Sequence, residues 1–184
     1  MDTQEMMTLR SVSGRIALVT GAASGMGRAT AKLLAAMGAK VAVTDFNGLG
    51  AEEVAQDIVR RGGFAKAWEL DVADQERVMT VVAEAAGEFG GLDIVVNNAG
   101  ISNALAFDDP RYEVAWQRLI AVILTGTQQV TRAALPHLKR SSAARVVNIA
   151  STEALGATAG HSGYSAAKAG VAGLTRSLTV EFGR

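Results

Sequence analysis

The sequence predicts an α/β fold: a doubly wound parallel sheet in three layers, with helices on both faces. Three observations predict it. Short runs of β-branched and apolar residues alternate with longer Ala/Leu-rich stretches at helical spacing. The short runs are apolar throughout, as strands buried on both faces are. Strand–helix–strand repetition with right-handed crossovers leaves few topologies, and the doubly wound sheet is foremost among them.

Each element has its own signal. Ile16 to Thr20 is a compact apolar run broken by Gly21, the first strand. Ala29 to Met37 carries Leu33, Leu34 and Met37 at helical spacing and stops at Gly38. Lys40 to Thr44, with Val41 and Val43, is the second strand. Ala51 to Arg61 reads as a helix with Val54, Ile58 and Val59 on one side, ended by Gly62 and Gly63. Phe64 to Leu70 is a weaker third strand, and Asp74 is the N-cap of a helix running through Ala86. Leu92 to Val96 is the fourth strand. Asp109-Pro110 opens one long helical stretch toward Lys139, with proline at an N1-like position. Arg145 to Ala150 is the fifth strand and Ser162 to Phe182 the final helix. Residues 1–13 read as an N-terminal extension and 14–184 as one nucleotide-binding domain, without linker or low-complexity segment.

Composition narrows the function classes. With 49% hydrophobic and 20% charged residues in 184, the chain is globular rather than disordered. Eighteen basic residues balance 18 acidic ones, so no basic footprint points to nucleic acid or anionic lipid. The absence of cysteine excludes disulfides, thiolate catalysis and Cys-based zinc sites. His137 and His161 are too far apart to suggest a metal cluster. Met1 to Arg10 holds Asp2 and Glu5 and does not read as a signal peptide, and no long apolar run predicts a membrane span. A cytoplasmic protein without membrane or nucleic-acid partners is the expectation.

Thr20-Gly21-Ala22-Ala23-Ser24-Gly25-Met26-Gly27 lies between the first strand and the first helix. A glycine-rich turn lets the backbone approach a pyrophosphate, and the helix N-terminus behind it offers free N–H groups and a positive dipole end. The spacing is neither G-x-G-x-x-G nor a P-loop, and by itself it also fits a plain tight turn. Gly21, Ser24, Gly25, Met26 and Gly27 are the candidate phosphate binders. Asp45 ends the second strand, where a carboxylate accepts hydrogen bonds from ribose hydroxyls. Its charge repels a 2′-phosphate, and Phe46 and Asn47 supply no cation, so NAD is favoured over NADP. Asp71 and Val72 follow the third strand; Asp71 suits either an adenine amino group or the start of the next helix.

Tyr164 and Lys168 are four residues apart and share a helix face, and Ser151 sits just past the fifth strand. All three fall near the carboxyl edge of the sheet, where such folds bind ligands. A neighbouring ammonium stabilises phenolate and makes a phenol a better proton donor or acceptor near neutral pH. A serine hydroxyl can hold a substrate oxygen. Y-x-x-x-K alone is a weak signal; with the glycine turn, Asp45 and Ser151 it gains weight.

Together, Thr20-Gly21-x3-Gly25-x-Gly27, Asp71-Val72, Asn97-Asn98-Ala99-Gly100, Ser151 and Tyr164-x3-Lys168 resemble the short-chain dehydrogenase/reductase family from about Gly14 onward. The resemblance implies a Rossmann-like domain and reversible alcohol–carbonyl interconversion with a small-molecule substrate. It implies that Tyr164 exchanges a proton with the substrate oxygen and that Ser151 positions that oxygen. Lys168 would ease the proton transfer and bind the nicotinamide ribose. Asn98 would lie against the cofactor and Asn97 would support the sheet. Helices around Trp116–Thr131 and Ala166–Leu178 would form the faces of a homo-oligomer. Ser102, Asn103, Ala104, Glu153, Ala154 and His161 fall near the substrate side, His161 equally as a surface residue. Trp68 and Trp116 read as packing residues.

Two departures stand out. Where the family has W-x6-N, Trp116 is followed by Ile123. In the family that asparagine holds a water linking the lysine to solvent, so isoleucine implies an impaired proton relay. The sequence also stops at Arg184, after the Tyr-Lys helix, where the family continues with further strands. That leaves an alternative reading, a catalytically weak nucleotide-binding fragment whose sheet lacks the last strands.

Overall fold

The structure, a computed structural model, describes residues 11–183. Five short runs pair in parallel: β1 (Ile16–Thr20), β2 (Lys40–Asp45), β3 (Phe64–Glu69), β4 (Ile94–Asn97) and β5 (Arg145–Asn148). Their order across the sheet is β3-β2-β1-β4-β5. The chain winds outward from β1 to one side, then returns to continue on the other. The reversal lies between β1 and β4, and Leu18 of β1 is opposite both Ala42 and Val95. The helices are α1 (Gly25–Ala36), α2 (Gly48–Arg60), α3 (Gln75–Phe89), α4 (Tyr112–Leu119), α5 (Gly126–Leu138) and α6 (Ser162–Phe182).

Alternating residues of one strand serve two cores, as the period of two requires. Leu18 and Val95 pack with Val78, Val81 and Val82 of α3 and Val130 and Ala134 of α5. Ala17, Val19, Val41 and Val43 pack on the opposite face with Ala31 and Ala35 of α1 and Val54 and Ile58 of α2. Trp68 is buried, with its ring edge-to-face to Phe89 at 6.1 Å, so it is a core residue as the sequence suggests. Trp116 packs beneath α6, where a Cβ added to Gly163 would come within 3.4 Å of its ring.

The boundaries show where local signals act. Asp74 caps α3 by accepting the Arg77 N–H at 3.0 Å, as predicted. The helix predicted from Ala29 begins at Gly25, directly out of the glycine turn. The helix predicted from Ala51 begins at Gly48, because Asn47 accepts the Gly50 N–H and offsets two unfavourable glycines. Asp109 accepts the Arg111 N–H at 2.8 Å, but α4 starts at Tyr112 with Arg111 at its N-cap, so Pro110 lies in the turn before the helix and not at its first position. The single long helix toward Lys139 is a correction: Ile120–Thr125 is a π-helical segment joining α4 to α5. Its widened turn changes which carbonyls find partners, and the Thr127 hydroxyl donates to the Ile123 carbonyl at 2.7 Å.

Among the described residues β5 is an edge strand, with Val146 and Val147 partly exposed. No described helix is long and apolar enough to cross a membrane.

Leu18 is fully buried and Leu33, on α1, is 61% exposed. Leu18→Ala should lower the free energy of unfolding by about 2–5 kcal/mol and Leu33→Ala by no more than about 0.5 kcal/mol, as read by urea denaturation.

Candidate functional site

At the reversal point the carboxyl ends of β1 and β4 diverge, and the cleft between them is the expected ligand site of such a sheet. Two side chains fix its floor. Thr20 Oγ1 accepts the N–H groups of Asn98 and Ala99, each at 3.0 Å. Asn98 Nδ2 donates back to the carbonyls of Thr20 at 2.9 Å and Gly21 at 3.0 Å. Asn97 points the other way, its amide donating to Thr131 Oγ1 and to Asn148 Oδ1, which ties β4 to α5 and β5.

The glycine turn explains itself at two positions. A Cβ on Gly27 would lie 2.1 Å from the Gly21 carbonyl oxygen and 2.4 Å from Asn98 Nδ2, so only glycine lets α1 start against the β1 end. Gly25 has φ +52° and nothing within 4 Å of its missing side chain, so the turn is open where a ligand would approach. Ser24 stands at the N-cap of α1 but makes no side-chain capping bond, and no acidic residue fills the first turn. The N-terminal N–H groups of α1 therefore keep their capacity for an anion. Asp45 Oδ2 accepts the Ala23 N–H and Oδ1 accepts the Asn47 N–H, each at 2.9 Å. Its carboxylate thus shapes the turn and still lines the cleft.

One cleft of 370 Å³ gathers Gly21, Ser24, Gly25, Met26, Asp45, Asp71, Val72 and Asn98 in its walls. Gly27 stands behind that wall, inside α1. These residues fit a dinucleotide: an open glycine turn, an uncapped helix start and a carboxylate line one cleft. A larger groove of 520 Å³ runs between α5, β5 and the end of α6, and holds none of the predicted site residues.

The candidate catalytic residues are outside the lining of that cleft, with Lys168 adjoining it at Gly100. Lys168 is 5% exposed, and its Nζ donates to the Ile149 carbonyl at 2.6 Å. The same ammonium is 5.8 Å from the Tyr164 ring centre and 3.9 Å from where a Gly100 Cβ would stand; Gly100 belongs to the cleft wall. Ser151 Oγ accepts the Glu153 N–H at 3.2 Å, which leaves its own proton available for donation. No hydrogen bond joins Ser151, Tyr164 and Lys168 to one another among the described residues. Ile123 is 1% exposed and packs with Leu119, Ala167 and Val171, with Tyr164 against the same cluster.

A sequence profile described as short chain dehydrogenase matches residues 15–184. The chain belongs to the short-chain dehydrogenase family. It is 44% identical over 172 residues to a cis-4-hydroxycyclohexanecarboxylate dehydrogenase of Sinomonas cyclohexanicum, covering 91% of this chain and 67% of that one. It is 39% identical to a D-beta-hydroxybutyrate dehydrogenase of Cupriavidus necator, covering 92% and 66%. It is 35% identical to a cyclohexanol dehydrogenase of an Acinetobacter species, covering 97% and 71%. The chain thus spans about two thirds of the length of the curated relatives it matches. Short-chain dehydrogenases use nicotinamide cofactors to interconvert alcohols and carbonyls, and the relatives are named dehydrogenases and reductases accordingly.

In this short-chain dehydrogenase two side chains take positions that the sequence does not disclose. Arg118 of α4 lines the cleft and pairs with Asp71, a partner 47 residues away with no local signal to link them. Glu153 accepts bonds from the Thr158 hydroxyl at 2.7 Å, the Thr158 N–H at 3.0 Å and the Ser165 hydroxyl at 2.9 Å. The Thr158 and Ser165 hydroxyls hold its carboxyl below the ordinary carboxylate range. It anchors the loop after β5 to α6, one residue past Tyr164.

Burial pushes the Lys168 ammonium below the ordinary lysine range. The unfolded chain then holds this proton more tightly than the folded one, so stability rises with pH from the lowered folded value up to the ordinary 10.5. In urea denaturation from neutral pH to 10.5, the wild type should gain stability relative to Lys168→Met as pH rises. A pH-independent difference would show that the ammonium is not desolvated.

Proposed function

We propose that this chain is an NAD-dependent dehydrogenase/reductase that interconverts a small secondary alcohol and its carbonyl compound. The carrying observation is the cleft that joins the uncapped start of α1 and the Asp45 carboxylate to Gly100, with the Lys168 ammonium 3.9 Å from where a Gly100 Cβ would stand and beside Tyr164. A bound nicotinamide would supply the hydride chemistry. The chain's own groups would do the rest. The Ser151 hydroxyl orients the substrate oxygen by donating to it. The Tyr164 hydroxyl exchanges the proton. Lys168 places a positive charge where phenolate develops, held in a site with little water.

Asp45 supports NAD over NADP, because its carboxylate faces the cleft and its neighbours Phe46 and Asn47 bring no cation to a 2′-phosphate. The names of two relatives, acting on 4-hydroxycyclohexanecarboxylate and cyclohexanol, make a six-membered carbocyclic alcohol the substrate class to test first. We place the protein in the cytoplasm as a homo-oligomer; the small residues Ala166, Ala169, Gly170, Ala172 and Gly173 along α6 suit close packing between copies.

The test is a fluorescence titration of the 184-residue chain with NADH and NADPH, followed by turnover with cyclohexanone. Saturable binding is expected, tighter for NADH. Tyr164→Phe should keep that binding and lose the turnover. No saturable binding, or tighter NADPH binding, contradicts the reading.

A second reading, a chain that binds nucleotide but turns over slowly, draws on Ile123. Its side chain puts hydrocarbon where the family's asparagine would bring a polar group, among Leu119, Ala167 and Val171. Ile123→Asn should raise the turnover rate while lowering stability by about 1–3 kcal/mol for the buried amide. An unchanged rate would remove Ile123 as a cause of slow catalysis.

A further inference from the structure

Arg118 has no part in the roles above, yet it stands on the cleft. It lies in the last turn of α4, and its Nη2 donates to Asp71 Oδ2 at 3.0 Å. The other carboxylate oxygen, Oδ1, accepts the Ala73 N–H at 2.9 Å. Asp71 is therefore held at both oxygens, by its own turn on one side and by α4 on the other. The pair is bounded by the apolar side chains of Leu70, Val72 and Val122 in the same cleft wall. The two side chains remain 46% and 28% exposed, and an ion pair so open to solvent adds little to folding. Its consequence is orientation.

An ionised carboxylate is an acceptor only, with two lone-pair sites on each oxygen. One site on each is taken, so a fixed acceptor remains beside an apolar slot. A free aspartate would spread that acceptor over several rotamers; the guanidinium, with its rigid fork of donors, holds it in one. A flat base with an exocyclic amino group meets this arrangement as donor to acceptor. The same base with an oxo group there sets acceptor against acceptor.

We propose that Arg118 is a positioning residue for base recognition, fixing Asp71 as the acceptor for the exocyclic amine of a dinucleotide's purine. The inference rests on the dinucleotide reading of the cleft. Its test is a fluorescence titration of the wild type, Arg118→Met and Arg118→Lys with NADH and with reduced nicotinamide hypoxanthine dinucleotide, which carries the oxo group. The wild type should favour NADH. Arg118→Met should weaken NADH about tenfold, the size of one charge-assisted hydrogen bond, and affect the hypoxanthine compound much less, so the preference collapses. Arg118→Lys should recover part of it. A preference that survives in Arg118→Met overturns the inference. Equal weakening of both ligands does so too, since it marks Arg118 as support for the fold alone. If the wild type binds neither, the dinucleotide reading itself fails and this inference with it; if the wild type binds NADH and only the Arg118 result is negative, that reading stands.

Discussion

The structure depends on the junction where Thr20 and Asn98 join the ends of β1 and β4. A doubly wound sheet reverses direction there, and the two strands must separate to leave a cleft. Separation exposes backbone groups that the sheet would otherwise pair. The Thr20 hydroxyl takes the N–H groups of Asn98 and Ala99, and the Asn98 amide takes the carbonyls of Thr20 and Gly21. The cleft can open because its floor is already satisfied. Gly27 then lets α1 begin against that floor, and its N-terminus arrives at the one place where the sheet gives way.

The two ends of the cleft are built by different means. The end at the glycine turn is built of backbone: helix N–H groups and a turn shaped by Asp45 through the N–H groups of Ala23 and Asn47. Backbone recognition tolerates almost no displacement, and this end is fixed by short-range bonds to two strands. Ser151, Tyr164 and Lys168 come from two segments, the turn after β5 and α6, that must be brought into register. The Leu105 N–H donates to the Gly160 carbonyl at 2.9 Å, linking the loops after β4 and β5. Tyr112 and Ser162 share a hydrogen bond at 2.7 Å, linking the starts of α4 and α6. Glu153 ties the Ser151 turn to α6. These links set where the Tyr164 helix stands over the cleft.

Legibility in the sequence follows the same division. The strands, the glycine turn and Asp45 could be read because each is decided by a few consecutive residues: apolar runs, glycine spacing, a carboxylate at a strand end. Asp74 could be read as a cap for that reason. The start of α2 could not, since Gly48 and Gly50 argue for a turn until Asn47 is seen to cap. The π-helical segment at Ile120–Thr125 leaves no composition signal, because apolar residues satisfy a π turn and an α turn alike. Arg118 and the true partners of Glu153 were hidden because they are contacts between elements. The residue types were in plain view, but their distances depend on how α4 and α6 lie over the sheet.

Ile123 of the π-helical segment and Lys168 of α6 set opposite polarities around Tyr164. Lys168 is a buried cation whose described hydrogen bond goes to a backbone carbonyl, and a carbonyl offsets only part of the hydration an ammonium loses. A lysine in that state gains from any negative charge that forms beside it, and Tyr164 is the ionisable side chain whose ring lies nearest along its own helix face. In the proposed reaction, desolvation that costs the resting fold would be returned as negative charge develops on the Tyr164 oxygen. Ile123 strengthens this arrangement in one respect and weakens it in another. By packing hydrocarbon in the cluster against which Tyr164 lies, it lowers the local dielectric, which in the proposed reaction would enlarge the attraction between a developing negative charge and the ammonium. By offering no polar atom it withholds a relay through which the ammonium could exchange its proton with solvent. In the proposed reaction the first effect would act on the proton-transfer step and the second on the resetting of Lys168 between turnovers, so burst and steady-state rates would respond to Ile123 in opposite senses.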